Sequence, residues 1–267
     1  MKQLLNIEDE IYPKKSLGQN FIHNQEFLKN LSFLIKTNKS TDIIEVGPGK
    51  GALTDFLIKK DFKKLFLIEK DKTLYKQLCI KYSSYKKIEI INDDALKINY
   101  KNISKNKNLI IVGNLPFNIS SQLLLNWISY EPWPSFFRKM YLMFQYELGK
   151  RIISAKGSKK YGKLSVLSQS RCHINEVLFA PSSIFYPKPK VDALVLEFTP
   201  IKNYQSIDIE VLKSILSKAF LSRRKKIKNT MAEFSFYFNE WDRIKELRAE
   251  ELDIGEYCDV VENLNKF

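Results

Sequence analysis

Short apolar runs recur in this chain at residues 42–46, 64–68, 88–91 and 109–112, and each gives way to a glycine, an acid or an amide. Runs of this length, rich in Ile, Leu and Val and bounded by turn residues, read as strands buried on both faces. Residues 25–35, 52–60, 72–82 and 121–129 carry apolar side chains at helical spacing. Residues 140–144 and 193–198 read as further strands. Strand–helix alternation of this kind predicts an α/β fold, a mostly parallel sheet with helices on both faces. After about Pro200 the strand signals stop, and 211–220 and 258–265 read as helices. The expected organisation is an α/β domain over 1–199 and a small all-helical C-terminal domain over 200–267, with no internal repeat.

Charge is distributed unevenly over this frame. The 267 residues carry a formal net charge of +14, from 44 Lys and Arg against 30 Asp and Glu. Residues 200–267 hold 12 of each sign, so the whole excess lies in residues 1–199. Such a field suits a polyanion, either nucleic acid or an anionic membrane surface. Lys-rich codon usage is the alternative source of the charge. Cys79, Cys172 and Cys258 are odd in number and far apart, which gives no disulfide framework and points to a reducing, cytoplasmic setting. With His23 and His173 they make no familiar metal spacing, so no metal is expected. No apolar run is long enough to span a bilayer, and the start, with Glu8, Asp9 and Glu10, does not read as a signal or anchor.

Four features fall at the C-terminal ends of the expected strands. The loop Glu45-Val46-Gly47-Pro48-Gly49-Lys50-Gly51-Ala52 places small residues where a backbone can approach a ligand and then opens a helix. Alone it also fits the dinucleotide fingerprint or a tight turn without a ligand. Glu69 follows Gly47 by 22 residues, where a ribose-binding acid belongs in such folds. Asp94, in Asp93-Asp94-Ala95, could accept from an adenine amine or simply be solvated. Asn114-Leu115-Pro116-Phe117 sets an amide, a rigid proline and an aromatic ring at one strand tip. All four would line one sheet edge, as a site for an adenosine-containing cofactor beside a site for a planar amine. Neither histidine falls in this strand-end set.

A fifth feature lies further on. Between residues 211 and 232 there are seven basic residues and no acid, including Arg223, Arg224, Lys225 and Lys226. On a helix they would form a positive face suited to RNA phosphates, or merely a solvated one. Lys14, Lys15, Lys188 and Lys190 flank the proposed site segments.

The motifs together resemble the ribosomal RNA adenine dimethyltransferases, in particular the small-subunit branch. They include Lys15-Ser16-Leu17-Gly18-Gln19-Asn20-Phe21, the Glu45 to Thr54 loop, Gly113-Asn114-Leu115-Pro116-Phe117-Asn118-Ile119-Ser120 and Tyr161-Gly162-Lys163-Leu164-Ser165-Val166. Phe185-Tyr186-Pro187-Lys188-Pro189-Lys190-Val191-Asp192, Arg223-Arg224-Lys225-Lys226 and Arg248-Ala249-Glu250 complete the set, which runs nearly end to end. The resemblance implies a Rossmann-like class I methyltransferase with a seven-stranded sheet. It implies S-adenosylmethionine as cofactor and S-adenosylhomocysteine as product. The substrate would be two adjacent adenosines near the 3′ end of 16S rRNA in the small ribosomal subunit, and the product N6,N6-dimethyladenosine. A monomer is expected, with a part in ribosome biogenesis and no membrane partner.

It also implies roles. Gln19, Asn20 and Phe21 close over the cofactor with Ile22 beside them, Gly47 approaches its amino-acid part, Glu69 holds the ribose and Asp94 meets the adenine. Asn114 lies between cofactor and target base, with a backbone carbonyl near Leu115 as a second acceptor for the amine. Phe117 and Phe185 would sandwich the flipped adenine; core packing is the alternative for Phe185. The family usually has Tyr where this chain has Phe117, and Phe there is familiar in related large-subunit resistance methyltransferases. Rival readings are that large-subunit enzyme, a non-catalytic RNA-binding or assembly factor, and a dinucleotide-dependent oxidoreductase.

Overall fold

The computed structural model describes residues 13–14, 17–134 and 136–266. Lys15, Ser16 and the acids Glu8, Asp9 and Glu10 lie outside the described residues. Three further strands, at Phe21–Ile22, Cys172–Ala180 and Phe185–Tyr186, join the six expected from the apolar runs, so that the described residues hold nine strands and eleven α-helices. In chain order they are β1 (Phe21–Ile22), α1 (Gln25–Leu34), β2 (Asp42–Val46), α2 (Thr54–Leu57), β3 (Lys64–Ile68), α3 (Lys72–Lys81), β4 (Ile88–Ile91), α4 (Tyr100–Ile103), β5 (Leu109–Gly113) and α5 (Ser120–Ile128). There follow β6 (Lys139–Gln145), α6 (Tyr146–Ile152), α7 (Lys163–Arg171), β7 (Cys172–Ala180), β8 (Phe185–Tyr186), β9 (Ala193–Pro200), α8 (Ile209–Ala219), α9 (Ile227–Thr230), α10 (Trp241–Ile244) and α11 (Ile254–Leu264).

Seven strands form one sheet in the order β4-β3-β2-β5-β6-β9-β7. The first five are parallel, and β9 runs antiparallel to both β6 and β7. The chain order reverses at β2, between β3 and β5, and the crevice outside such a switch point is where open sheets bind ligands. All five residues of β2 and of β5 are buried. Two apolar clusters cover the two faces. Ile43, Leu65, Leu67 and Val112 face α1 and the closing segment, while Ile44, Phe66, Ile111 and Leu142 face α5 and the C-terminal helices. The expected helix over 52–60 is shorter, with α-helix only at Thr54–Leu57 and turns around it.

The second cluster runs unbroken into the C-terminal region. Trp127 and Leu167 are buried with Leu212 and Leu216 of α8 and Val260 and Val261 of α11. Arg171 reinforces that junction: its guanidinium donates to Glu131 at 2.7 Å and to the Ile207 carbonyl at 3.0 Å. The change from strand to helix falls at Pro200; beyond it the described residues form helices, turns and loops, with a single antiparallel bridge between Lys226 and Arg248.

The basic run departs from expectation. α8 ends at Ala219, a 3-10 turn follows at Phe220–Ser222, and Arg223, Arg224 and Lys225 form a turn before α9. The run therefore offers no helix face. Arg223 reaches across to donate to the carbonyls of Lys159 and Tyr161 at 2.9 and 2.6 Å, and Lys226 pairs with Glu246 at 2.7 Å.

Candidate active site

A cavity of about 650 Å³ opens at the C-terminal ends of the parallel strands. Gly47, Glu69, Asp94 and Asn114 to Phe117 all line it, so the four strand-end features meet in one place. Its roof is the segment Gly18 to His23, which sequence reasoning placed here only by resemblance. That segment is tied down by a two-strand ribbon in which Phe21 faces Tyr186 and Ile22 faces Phe185.

The glycine loop is shaped by close approach. Gly47 and Gly49 adopt φ of +69° and +59°, a region that disfavours residues with a Cβ. A Cβ on Gly49 would also lie 2.9 Å from the Phe21 ring. The loop can therefore sit beneath the roof only without side chains at these positions.

The acids are held in distinct ways. Glu69 accepts from the Gly49 N–H at 3.2 Å and the Asp71 N–H at 2.9 Å, one bond to each carboxylate oxygen. Burial pushes its pKa up, against the pull of those donors. Each oxygen retains acceptor capacity for a vicinal diol. Asp94 accepts from Lys70 at 2.9 Å and from the Leu96 N–H at 3.0 Å, and the Lys70 ammonium holds it below the usual carboxylate range. Glu45 also lines the cavity and was not singled out from sequence. It is wholly enclosed, accepts from Thr54 Oγ1 at 2.7 Å, and burial pushes its pKa up to about 7. The signal for it was an acid set between the apolar Ile44 and Val46 within a strand.

Asn114 is oriented by the roof. Its Nδ2 donates to the Asn20 carbonyl at 2.8 Å, which leaves Oδ1 to accept from a ligand amine. Leu115 has its side chain in the core, so only its backbone is available for the role expected of it. Phe117 lines the cavity with one partly exposed face. Gln19 lines it too, but its amide is spent on fastening the roof: Nε2 donates to Asp71 at 3.3 Å while Oε1 accepts from the Lys14 N–H at 2.8 Å. Lys14 adds an ion pair to Asp71 at 2.8 Å. Asp71 thereby anchors the roof and caps α3 at once. Burial would push Asp71 up, but Lys14, two backbone N–H groups and Gln19 together bring its pKa below the ordinary value.

Two expectations are corrected here. Phe185 is 2% exposed and packs with Ile22, Phe27 and Leu28, away from the cavity lining. The ring that does line the cavity is its neighbour Tyr186, 61% exposed. Side chains alternate along a strand, and the register that buries Ile22 also buries Phe185 opposite it. His23 does line the cavity, because it belongs to the roof and not to a strand end. Among the described residues no group of three or more His, Cys, Asp or Glu is placed to hold a metal ion.

Comparison with known proteins gives the family. The family model described as ribosomal RNA adenine dimethylase matches residues 12–266. The chain belongs to this family. Among curated members of the ribosomal RNA adenine dimethylases, "Ribosomal RNA small subunit methyltransferase A" of Pelagibacter ubique is 41% identical over 217 residues, covering 80% of this chain and 81% of that one. The protein of the same name from Blochmanniella pennsylvanica is 33% identical over 262 residues, covering 94% and 95%. Among solved structures, a dimethyladenosine transferase from Plasmodium falciparum superposes with a TM-score of 0.79 at 24% identity, over 92% of this chain and 98% of that one. The 23S rRNA methyltransferase ErmE superposes at 0.68 and 18% identity, over 92% and 100%. These two likenesses confirm the dimethylase fold, including its helical C-terminal region. Among the described residues no helix is long and apolar enough to cross a membrane.

Proposed function

We propose that this chain transfers methyl groups from S-adenosylmethionine to the N6 atoms of two adjacent adenosines near the 3′ end of 16S rRNA, giving N6,N6-dimethyladenosine. The observation that carries this is Asn114. Its amide is locked by the Asn20 carbonyl with its oxygen available, at the mouth of a cavity lined by Gly47, Glu69 and Asp94.

The residues present fit the cofactor. Gly47 and Gly49 leave a lining without side chains, Glu69 offers acceptors for a ribose diol, and Asp94 offers one for an adenine amine. When bound, S-adenosylmethionine supplies a methyl group on a sulfonium, an activated leaving group. Adenine N6 is a poor nucleophile because its lone pair is delocalised into the ring. Asn114 Oδ1 and a backbone carbonyl at Leu115 accept the two N6–H groups. Those acceptors favour a more pyramidal nitrogen with its lone pair aimed at the methyl group. Alignment and electrostatics then supply the rate, with no strong base required: as N6 forms its bond to the methyl group the methyl–sulfur bond would break, and the proton of the now acidic N6–H would pass to water. Phe117 offers a stacking face for the extruded base. The exposed cations Arg224 and Lys225 meet RNA phosphates, while Arg223 and Lys226 first serve the fold through their bonds to Tyr161 and Glu246.

The protein acts as a cytoplasmic monomer on small ribosomal subunits during their biogenesis. Labelled S-adenosylmethionine, offered with unmodified small subunits or with protein-free large-subunit rRNA, tests the reading. Label on the small subunit supports it. Label only on large-subunit rRNA moves the enzyme to the other branch, as Phe117 would then explain. Failure to bind S-adenosylmethionine at all would favour a binding or assembly factor.

A further inference from the structure

The active-site cavity and the C-terminal turn account for little of the charge. The formal net charge is +14, and residues 200–267 hold 12 cations against 12 acids, so the excess belongs to residues 1–199. Part of it gathers at the edge of the sheet opposite the cavity, where the parallel strands begin. Lys36 and Lys39 lie in the loop between α1 and β2, Lys63 just before β3, Lys105 and Lys107 before β5, and Arg138 before β6, all of them exposed. Hydrogen bonds join these loops into one surface. The Lys63 N–H donates to the Thr41 carbonyl at 2.7 Å, Asn106 Nδ2 to the Ser40 carbonyl at 2.7 Å, Asn108 Nδ2 to Ser40 Oγ at 2.9 Å, and Arg138 Nη2 to the Lys36 carbonyl at 2.8 Å.

Most of these cations do nothing for the fold. Arg138, together with Lys60 donating to the Ser32 carbonyl at 3.0 Å, serves the carbonyl end of α1, as the helix dipole favours. Lys36 sits over the exposed Phe33 ring at 3.8 Å. The side chains of Lys39, Lys63, Lys105 and Lys107 make no hydrogen bond, ion pair or ring contact among the described residues. Neighbouring acids are engaged elsewhere: Glu89 with Lys64 at 3.6 Å, Glu197 with Lys139 at 2.8 Å, Glu131 with Arg171 at 2.7 Å, and the buried Asp42 with the Ser104 hydroxyl at 2.7 Å. Asp61, before β3, is the one acid of this edge without a partner among the described residues. Lysines gathered in this way repel one another, and only an external anion relieves them. Lysine is a compact point charge that meets phosphates without reading bases. Three strand intervals of about 4.8 Å spread the cations over about 15 Å, the reach of several phosphates along a strand. Asn38, Ser40, Asn106 and Asn108 lie among them, so the middle of the surface is polar and offers no apolar face to a bilayer. Five residues of strand, about 16 Å, separate this edge from the cavity.

We propose that this edge holds the phosphate backbone of a second segment of ribosomal RNA, on the side of the protein away from the target adenine, with Lys39, Lys105 and Lys107 as its principal contacts. This rests on the ribosomal RNA methyltransferase reading and adds an anchor to it. A folded subunit presents two RNA segments at once, so the edge raises affinity for the subunit without touching the methyl transfer.

The test uses the full-length Lys39→Gln/Lys105→Gln/Lys107→Gln variant and unmodified small ribosomal subunits across a salt series, with S-adenosylmethionine affinity and melting temperature measured in parallel. Affinity for subunits falls at least about tenfold, and the slope of log affinity against log salt flattens by about 2 to 3, one phosphate contact for each lysine. S-adenosylmethionine affinity and melting temperature stay at the wild-type values. Should the triple variant fail to fold, each single Gln variant flattens the slope by about 0.7 to 0.9. An aryl azide on Lys107→Cys, in a Cys79→Ser background, cross-links to ribosomal RNA outside the segment that carries the modified adenosines. Unchanged affinity and slope, the behaviour of a merely solvated face, in variants of an enzyme whose wild type methylates subunits overturns the anchor and leaves the methyltransferase reading intact. A cross-link confined to ribosomal protein, or to the modified segment itself, also overturns it. So does a variant that keeps its affinity for subunits but loses binding to vesicles of phosphatidylglycerol in phosphatidylcholine, which would assign the edge to a membrane. A wild type that neither binds nor methylates subunits overturns both readings.

Discussion

Removing the Asn114 side chain separates what it does for the roof from what it does for the substrate. In Asn114→Ala the bond from Nδ2 to the Asn20 carbonyl, 2.8 Å long and part-buried, is lost. A neutral hydrogen bond of this kind contributes about 1 kcal/mol net. The closed form of the roof would thus be disfavoured about fivefold, and S-adenosylmethionine affinity would fall by no more than that. The variant also lacks the amide oxygen that accepts from N6–H as the nitrogen becomes nucleophilic. An acceptor or donor acting in the transition state is worth about 2.7–4 kcal/mol, or about 100- to 1000-fold in turnover. Single-turnover methylation of small subunits gives the rate, and calorimetric titration gives the cofactor affinity. Asn114→Asp sharpens the comparison, since it keeps an acceptor but turns a carboxylate toward the Asn20 carbonyl and should weaken the roof more. A rate loss in Asn114→Ala below about tenfold, or one matched by an equal loss of cofactor affinity, would refute the assigned role.

Other perturbations read other parts of the site. Glu45 carries a folded pKa of about 7 against an ordinary 4.5, so the folded state holds its proton the more tightly. Stability should therefore fall as pH rises from about 4.5 to about 7, by roughly 3 kcal/mol from this group, and Glu45→Gln should flatten that part of a urea-unfolding profile. A Gln variant whose pH profile matches the wild type would contradict this. Tyr186→Ala should lower methylation with little effect on thermal stability, whereas Phe185→Ala should cost about 3–5 kcal/mol of stability as a buried aromatic truncation; the reverse pattern would restore Phe185 to the substrate. Gly49→Ala should weaken cofactor binding, because the left-handed backbone and the Phe21 ring both resist a Cβ; titration giving wild-type affinity would rule that out. Arg223→Ala should lower the melting temperature by breaking the bonds to Lys159 and Tyr161, while Arg224→Ala and Lys225→Ala should leave it unchanged and weaken RNA binding.

The parallel sheet was legible because β2 and β5 are buried on both faces, so that β5 reads as an unbroken apolar run and β2 as one broken only by Asp42 and Glu45. Strand β7 was not, because it lies at the sheet edge and interleaves His173, Asn175 and Glu176 with its apolar residues. The strand-end features Gly47, Glu69, Asp94 and Asn114 converge as expected because one topology brings every parallel C-terminal end to the same edge. The roof obeys no such rule. Choosing Tyr186 over Phe185 requires the register of a two-residue ribbon, which depends on Ile22 more than a hundred residues away. The basic run showed its charge in composition, but its conformation follows from the end of α8 at Ala219 and from the carbonyls that Arg223 finds beyond it.

The most direct measurement is nucleoside analysis of small-subunit rRNA after incubation of unmodified subunits with this protein and S-adenosylmethionine. Two N6,N6-dimethyladenosines per subunit, at neighbouring positions near the 3′ end, are the expected result. Subunits that remain unmodified, or that carry methyl groups on another base or atom, would contradict it.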